Sequence, residues 1–273
     1  MSRYSCRDGV VSINTIRQRK EAGGKISMVT CYDAAFARLV ESSPIDMVLV
    51  GDSLGSVMLG LDDPTQVTME HMVSHTAAVS RILRRPLLCA DLPFLSYQSS
   101  PQEALRNAGR LLQEGGAHAV KLEGGQQVVA QIKTLVSAGI PVMGHLGLTP
   151  QSVHMLGGYK VQGRDSKVHG QILRDAVALE EAGVFALVLE LVPRELARQV
   201  TASIAIPTIG IGAGPDCDGQ VLVLHDLLGF DPEFNPRFLK KYADFAQGIQ
   251  QALAVFNDEV KAGVFPAACN SFE

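Results

Sequence analysis

The chain has 273 residues, 47% hydrophobic and 19% charged, a balance that excludes intrinsic disorder and predicts a packed core. A formal net charge of −4, 5% aromatic residues and no tryptophan speak against a nucleic-acid or anionic-membrane surface. No uncharged apolar stretch reaches the roughly 20 residues that span a bilayer. With no secretory signal pattern at the start either, the five scattered cysteines are expected as free thiols in the cytoplasm.

Short apolar, β-branched runs recur along the chain. They occupy residues 26–33, 46–52, 86–94, 119–125, 140–147, 185–192, 206–214 and 221–229. Near-continuous apolar runs suit parallel strands covered on both faces. Helical patterns fill most gaps: 34–41, then 68–83 capped by Thr68. Another starts at Ser100-Pro101 and stops at Gly115-Gly116, and two more end in Gly139 and Gly183. The tail beyond Pro232 holds a helical stretch over 237–260, expected outside the barrel or in subunit contacts. The runs recur about every 28 residues, the size of a βα unit. This predicts an α/β chain with one domain over 1–273: a (β/α)8 TIM barrel with a short N-terminal extension and a C-terminal helical tail. A doubly wound sheet is the alternative, because the gap before the last run is too short for an ordinary helix.

In such a barrel, chemistry collects at the C-terminal strand ends. There the sequence places Asp52 with Ser53, Asp91, Lys121 with Glu123, His145 and Glu190. Side chains two apart share a strand face, so Lys121 and Glu123 point the same way. A charge inside an apolar strand is costly unless it is paired, protonated or metal-bound. Asp52 and Asp91 end sequence-adjacent strands, and two carboxylates that close repel unless a cation or a shared proton lies between them. Oxygen-only ligands suit Mg²⁺. The bland alternatives are a turn cap for Asp52, an arginine partner for Asp91 and a lysine partner for Glu190. Glu190, flanked by apolar residues that favour its neutral form, is the candidate general base. Lys121 is expected to stay protonated among anions and to face an anionic substrate. His145 could assist with a hydrogen bond. GIGAG (210–214) lacks the GxGxxG spacing and reads as a glycine-lined wall.

The ordered segments MVTCYDAAFARL from Met28, VGDSLG from Val50, ADLPF from Ala90 and VKLEGG from Val120 resemble the ketopantoate hydroxymethyltransferase family. So do GHLGLTPQS from Gly144, GGYKVQGR from Gly157, LVLELVP from Leu187 and DGQVLVLHDLLG from Asp218. The resemblance implies a barrel of the phosphoenolpyruvate/pyruvate type in a cytoplasmic enzyme of pantothenate synthesis. Its substrates would be 3-methyl-2-oxobutanoate and 5,10-methylenetetrahydrofolate. It carries Asp52, Asp91 and Glu123 over as Mg²⁺ ligands. Asp52, Ser53, Asp91 and Lys121 become substrate contacts, Glu190 the proton acceptor, and the assembly a homodecamer. A C–C lyase or mutase on another 2-oxo acid, which a loop cysteine nucleophile would favour, and a non-catalytic metal- or folate-binding protein are the other classes to weigh.

Overall fold

The computed structural model describes residues 9–272. The strands are β1 (Ile26–Thr30), β2 (Met47–Val50), β3 (Leu87–Asp91), β4 (Ala119–Glu123), β5 (Val142–Gly147), β6 (Ala186–Glu190), β7 (Thr208–Ile211) and β8 (Gly219–Leu222). They pair in parallel in chain order and close from β8 onto β1. The expected (β/α)8 TIM barrel is therefore the observed architecture. Helix α1 (Ile13–Glu21) precedes β1, and α2 (Ala34–Glu41), α3 (Leu54–Leu59), α4 (Met69–Ser80), α5 (Pro101–Gln113), α6 (Val129–Ser137), α7 (Val153–Leu156), α8 (Ser166–Ala182) and α9 (Arg194–Ser203) occupy the connections, except between β7 and β8. Thr68 and Ser100 cap α4 and α5 through their side chains, as their positions predict.

Alternation along the strands builds the core. Met28, Met47, Leu49, Leu87, Cys89, Ala119, Met143, Ala186, Val188, Ile209 and Val221 form one buried cluster, the side chains that fill the barrel's interior. The opposite face of each strand carries residues such as Leu88, Leu122 and Leu187, also buried, here beneath the helices. That two-sided burial is why the strands read as unbroken apolar runs.

The N-terminal end is closed by an element that the sequence did not announce. Ser12 and Thr15 form a reciprocal capping box that starts α1. Val11 and Ile16 then join the barrel cluster. Arg19 pairs with Asp46 at 2.7 Å. Lys20 pairs with Asp218 at 3.0 Å and donates to the carbonyls of Thr201, Ile204 and Ile206.

Two expected boundaries shift. The last strand is Gly219–Leu222, and much of the expected run 221–229 instead forms α10 (Leu224–Leu227). The long tail helix is α11 (Phe245–Ala262) rather than 237–260. Asp244 supplies the cap, its side chain accepting from the Gln247 amide, so the helix starts there. The chain divides into one compact unit up to Val223 and a second from Leu224. In the second, Phe230 meets Phe245 edge-on, with ring centroids 6.0 Å apart, and Tyr242 donates its amide to the Leu227 carbonyl.

Candidate active site

Extending the interior alternation past the apolar cluster leads straight to the charges. Cys89 is followed two residues on by Asp91, Ala119 by Lys121 and Glu123, Met143 by His145, and Val188 by Glu190. The strand register sets Asp91 beside Lys121 and Glu123 beside His145. Asp52 comes from the turn after β2, where its backbone amide donates to Asp91 Oδ2 at 3.1 Å. Gly51 makes that approach possible: a Cβ there would lie 3.0 Å from Ser53 Oγ and 3.3 Å from Asp91 Oδ2. The structure thus brings Asp52, Ser53, Asp91, Lys121, Glu123, His145 and Glu190 together at the C-terminal mouth.

The charges are strongly coupled. Lys121 Nζ lies 3.0 Å from Asp91 Oδ1 and 3.9 Å from Glu123 Oε1, so Asp91 pairs with a lysine rather than an arginine. Burial alone would pull the Lys121 ammonium down, but Asp91, Glu123 and Asp52 outweigh it and push its pKa up. The ammonium therefore stays charged, as expected. Burial, then the nearby charges of Asp91 and Glu123, push Asp52 up to about 8. Burial also raises Asp91 against the pull of Lys121. Glu123 goes the other way: His145 and Lys121 overcome burial and hold it below the usual carboxylate range.

Glu190 pairs with His145, not with Lys121: His145 Nε2 lies 3.4 Å from Glu190 Oε2, and its Nδ1 lies 3.1 Å from Glu123 Oε1. Burial and Lys121 lower the imidazole's pKa, but the bond to Glu123 and the nearby Glu190 carboxylate prevail and push it up to about 9. Glu190 keeps 19% of its side-chain exposure, against 5% for Lys121 and 2% for Asp91. It is the site's open edge, wetter than its apolar flanks suggest.

Three bracing side chains went unseen in the sequence. Gln151, in the GHLGLTPQS segment, donates from Nε2 to Asp52 Oδ2 at 2.8 Å, and its amide donates to Glu123 Oε2 at 3.1 Å. Tyr97 donates to Gln151 Oε1 at 2.9 Å and accepts from the Glu123 amide at 3.1 Å. The Tyr32 hydroxyl meets Ser53 Oγ at 2.8 Å. The quoted motifs around Gln151 and Tyr32 were the available signal.

Could these residues hold a divalent cation? Asp52 and Asp91 offer adjoining buried carboxylates, and Asp91 Oδ1 receives no well-directed hydrogen bond despite the nearby ammonium. A hard cation fits that donor chemistry. Glu123 does not converge on the same point, since its oxygens face His145 and Gln151. Among the described residues, no three His, Cys, Asp or Glu side chains cluster as a ligand set.

The alternatives fare less well. The Cys89 thiol is buried in the core and burial pushes its pKa up; Cys217 is raised by burial too. Neither is the activated thiolate a cysteine-dependent lyase would use. In the GIGAG segment, a Cβ on Gly214 would fall 2.9 Å from Arg194 Cγ, so that glycine serves packing rather than a ligand wall.

Comparison with known proteins follows the same line. The sequence model described as ketopantoate hydroxymethyltransferase matches residues 10–268. The 3-methyl-2-oxobutanoate hydroxymethyltransferase of Moorella thermoacetica is 56% identical over 263 residues, covering 96% of this chain and 98% of that protein. The protein of the same name from Carboxydothermus hydrogenoformans is 54% identical, covering 96% and 95%. Among solved structures, phosphonopyruvate hydrolase superposes with a TM-score of 0.64 at 12% identity, covering 97% of this chain and 92% of its own. A 2,3-dimethylmalate lyase of the PEP mutase/isocitrate lyase superfamily gives 0.57 at 19%, covering 93% and 87%. These two share the fold.

Proposed function

The chain belongs to the ketopantoate hydroxymethyltransferase family, and from that premise we propose how its barrel mouth acts on 3-methyl-2-oxobutanoate. The one-carbon donor is 5,10-methylenetetrahydrofolate and the product 2-dehydropantoate, a cytoplasmic step towards pantothenate.

Asp52 and Asp91 would hold Mg²⁺, which takes few carboxylates and keeps positions for water and substrate oxygens. When bound, the ion supplies Lewis-acid polarisation of the 2-oxo group and so acidifies C3. Glu123, engaged by His145 and Gln151, supports the pair from an outer position rather than as a third direct ligand. Protonated Lys121 meets the substrate carboxylate. Ser53, oriented by Tyr32, donates to a substrate oxygen.

Glu190 takes the proton from C3. Its place at the open edge lets it reach substrate, and His145 behind it fixes the carboxylate's direction. The C3 carbanion, stabilised as the enolate, attacks the methylene carbon of the donor's iminium form and makes the C–C bond. The remaining C–N bond to the folate then breaks as water places its hydroxyl on that carbon, and the proton leaves on the nitrogen of the released tetrahydrofolate. The observation that carries this assignment is the continuous interior alignment from Asp91 through Lys121, Glu123 and His145 to Glu190.

The test needs no folate. The chain should exchange deuterium into C3 of 3-methyl-2-oxobutanoate with Mg²⁺ and stop in EDTA. Glu190→Gln should lose the exchange; full exchange in that variant would remove Glu190 from the base role.

Self-association into a homo-oligomer is supported by α11, which buries no residue and leaves Ile249, Leu253, Phe256 and Val260 exposed; the decamer is what the family resemblance implies. Light scattering reads the stoichiometry.

A further inference from the structure

Beside the charged mouth, the loops after β2 and β5 border an open cleft. Its space of about 370 Å³ is lined by Asp62, Asp63, Pro64, Val153, His154 and Tyr159, together with the Gly157-Gly158 backbone. That size suits the ring system of a small ligand. Buried Pro64 and Val153 give it an apolar floor. Gly157 and Gly158 adopt φ of +69° and +106°, and a Cβ on Gly158 would meet nothing within 4 Å. One wall is thus bare peptide, open to a flat group.

Tyr159 stands at this cleft with 63% of its surface exposed, so a face of its ring is open to a ligand. Burial of its hydroxyl, then the charge of Glu190, raises its pKa, so the ring lies within electrostatic reach of the proposed base. His154 pairs with Asp63 across the cleft, and Asp63 Oδ1 accepts from the Thr65 amide. Asp62 is left as a lining carboxylate with no bond among the described residues. Lys160 Nζ sits at the rim, 3.8 Å from the Cβ position of Gly157, in no ion pair among the described residues. The loop is also tied to the substrate side, because Gln151, two residues before Val153, is bonded to Asp52.

We infer that this cleft seats the planar 2-amino-4-oxopteridine ring of the one-carbon donor, an inference that rests on the function proposed above. Tyr159 stacks on the ring face. Asp62 accepts from the ring N3–H and the 2-amino group, a donor pair whose spacing matches a carboxylate. Lys160 meets the carboxylates of the glutamate tail. The one-carbon unit is thereby aimed along the cleft towards the Glu190 edge of the mouth.

Tetrahydrofolate, which carries the ring without the transferable carbon, is titrated into the full chain by calorimetry. Tyr159→Ala and Asp62→Asn should each weaken it about tenfold or more, whereas Tyr159→Phe should retain most of the affinity. Lys160→Ala should weaken the triglutamyl form more than the monoglutamyl form. Deuterium exchange into the keto acid by the unaltered chain reads the parent assignment separately, and its absence would sink that assignment. With exchange present, unchanged tetrahydrofolate affinity in both Tyr159→Ala and Asp62→Asn overturns the cleft. An equal loss of keto-acid binding in those variants overturns it too, because the damage would then belong to the whole mouth.

Discussion

The two ends of the barrel handle charge in opposite ways. At the N-terminal end each buried or half-buried charge has its own partner: Arg19 with Asp46, Lys20 with Asp218 and three carbonyls. At the C-terminal end three buried carboxylates crowd around one ammonium and one imidazole. The first arrangement satisfies every group and adds stability. The second holds like charges together at a cost in stability, and such crowding is what a site needs in order to bind an ion, hold an anionic substrate and move a proton. Fold and function are thus separated along the barrel axis.

Substitutions at the two ends should therefore differ in kind. The largest effect is expected from Glu190→Gln, which should slow C3 exchange by roughly 10²- to 10⁴-fold while the melting temperature barely moves; a large drop in that temperature would make Glu190 a structural residue. Next, Lys20→Met should destabilise the chain by about 2–3 kcal/mol, because Asp218 and several carbonyls lose their donor. Urea titration checks this, and a neutral result would mean that the N-terminal end is not the stabilising one.

Asp52→Asn should do the reverse in EDTA. A carboxyl whose folded pKa is raised to about 8 keeps its proton when folded and loses it when unfolded. Its contribution to stability therefore falls as pH rises from about 4 to about 8. The asparagine variant should escape that fall and gain on the order of 2 kcal/mol at pH 8, with no gain below pH 4. An unchanged pH profile would show that the mouth carries no such strain. The smallest change is Arg19→Ala, about 1 kcal/mol: the arginine is 37% exposed, and Ser27 still donates to Asp46.

What could be read from the sequence follows the same axis. A period-two pattern survives any loop conformation, so the sequence puts Lys121 and Glu123 on one face, with Asp91 and Glu190 at the matching ends of other strands. The bracing network is not legible in this way: Gln151 meets Asp52 from 99 residues away, and no local pattern encodes that meeting. Glu123 was legible as a mouth residue but not as the partner of His145. The last strand was misplaced because its apolar run continues into Leu224 and Leu227, while the ladder to β1 begins at Gly219 and Gln220. α1 leaves little trace in the sequence because only Ile16 among its residues is buried, so its amphipathic signal is faint.

The short turn between β7 and β8 has a consequence for how the barrel comes apart. The seam that closes the ring joins Ile26 to Gly219, and a side chain on Gly219 would run into the Ile26 carbonyl at 2.5 Å. This contact spans most of the chain, the kind of pairing that pays its loop entropy last. Yet the charged groups of the mouth come from the arc between β2 and β6. Opening at the seam would therefore leave that arc continuous, and so would a chain break in the β7–β8 turn, which should weaken the ring well before it disturbs the arrangement of the charges.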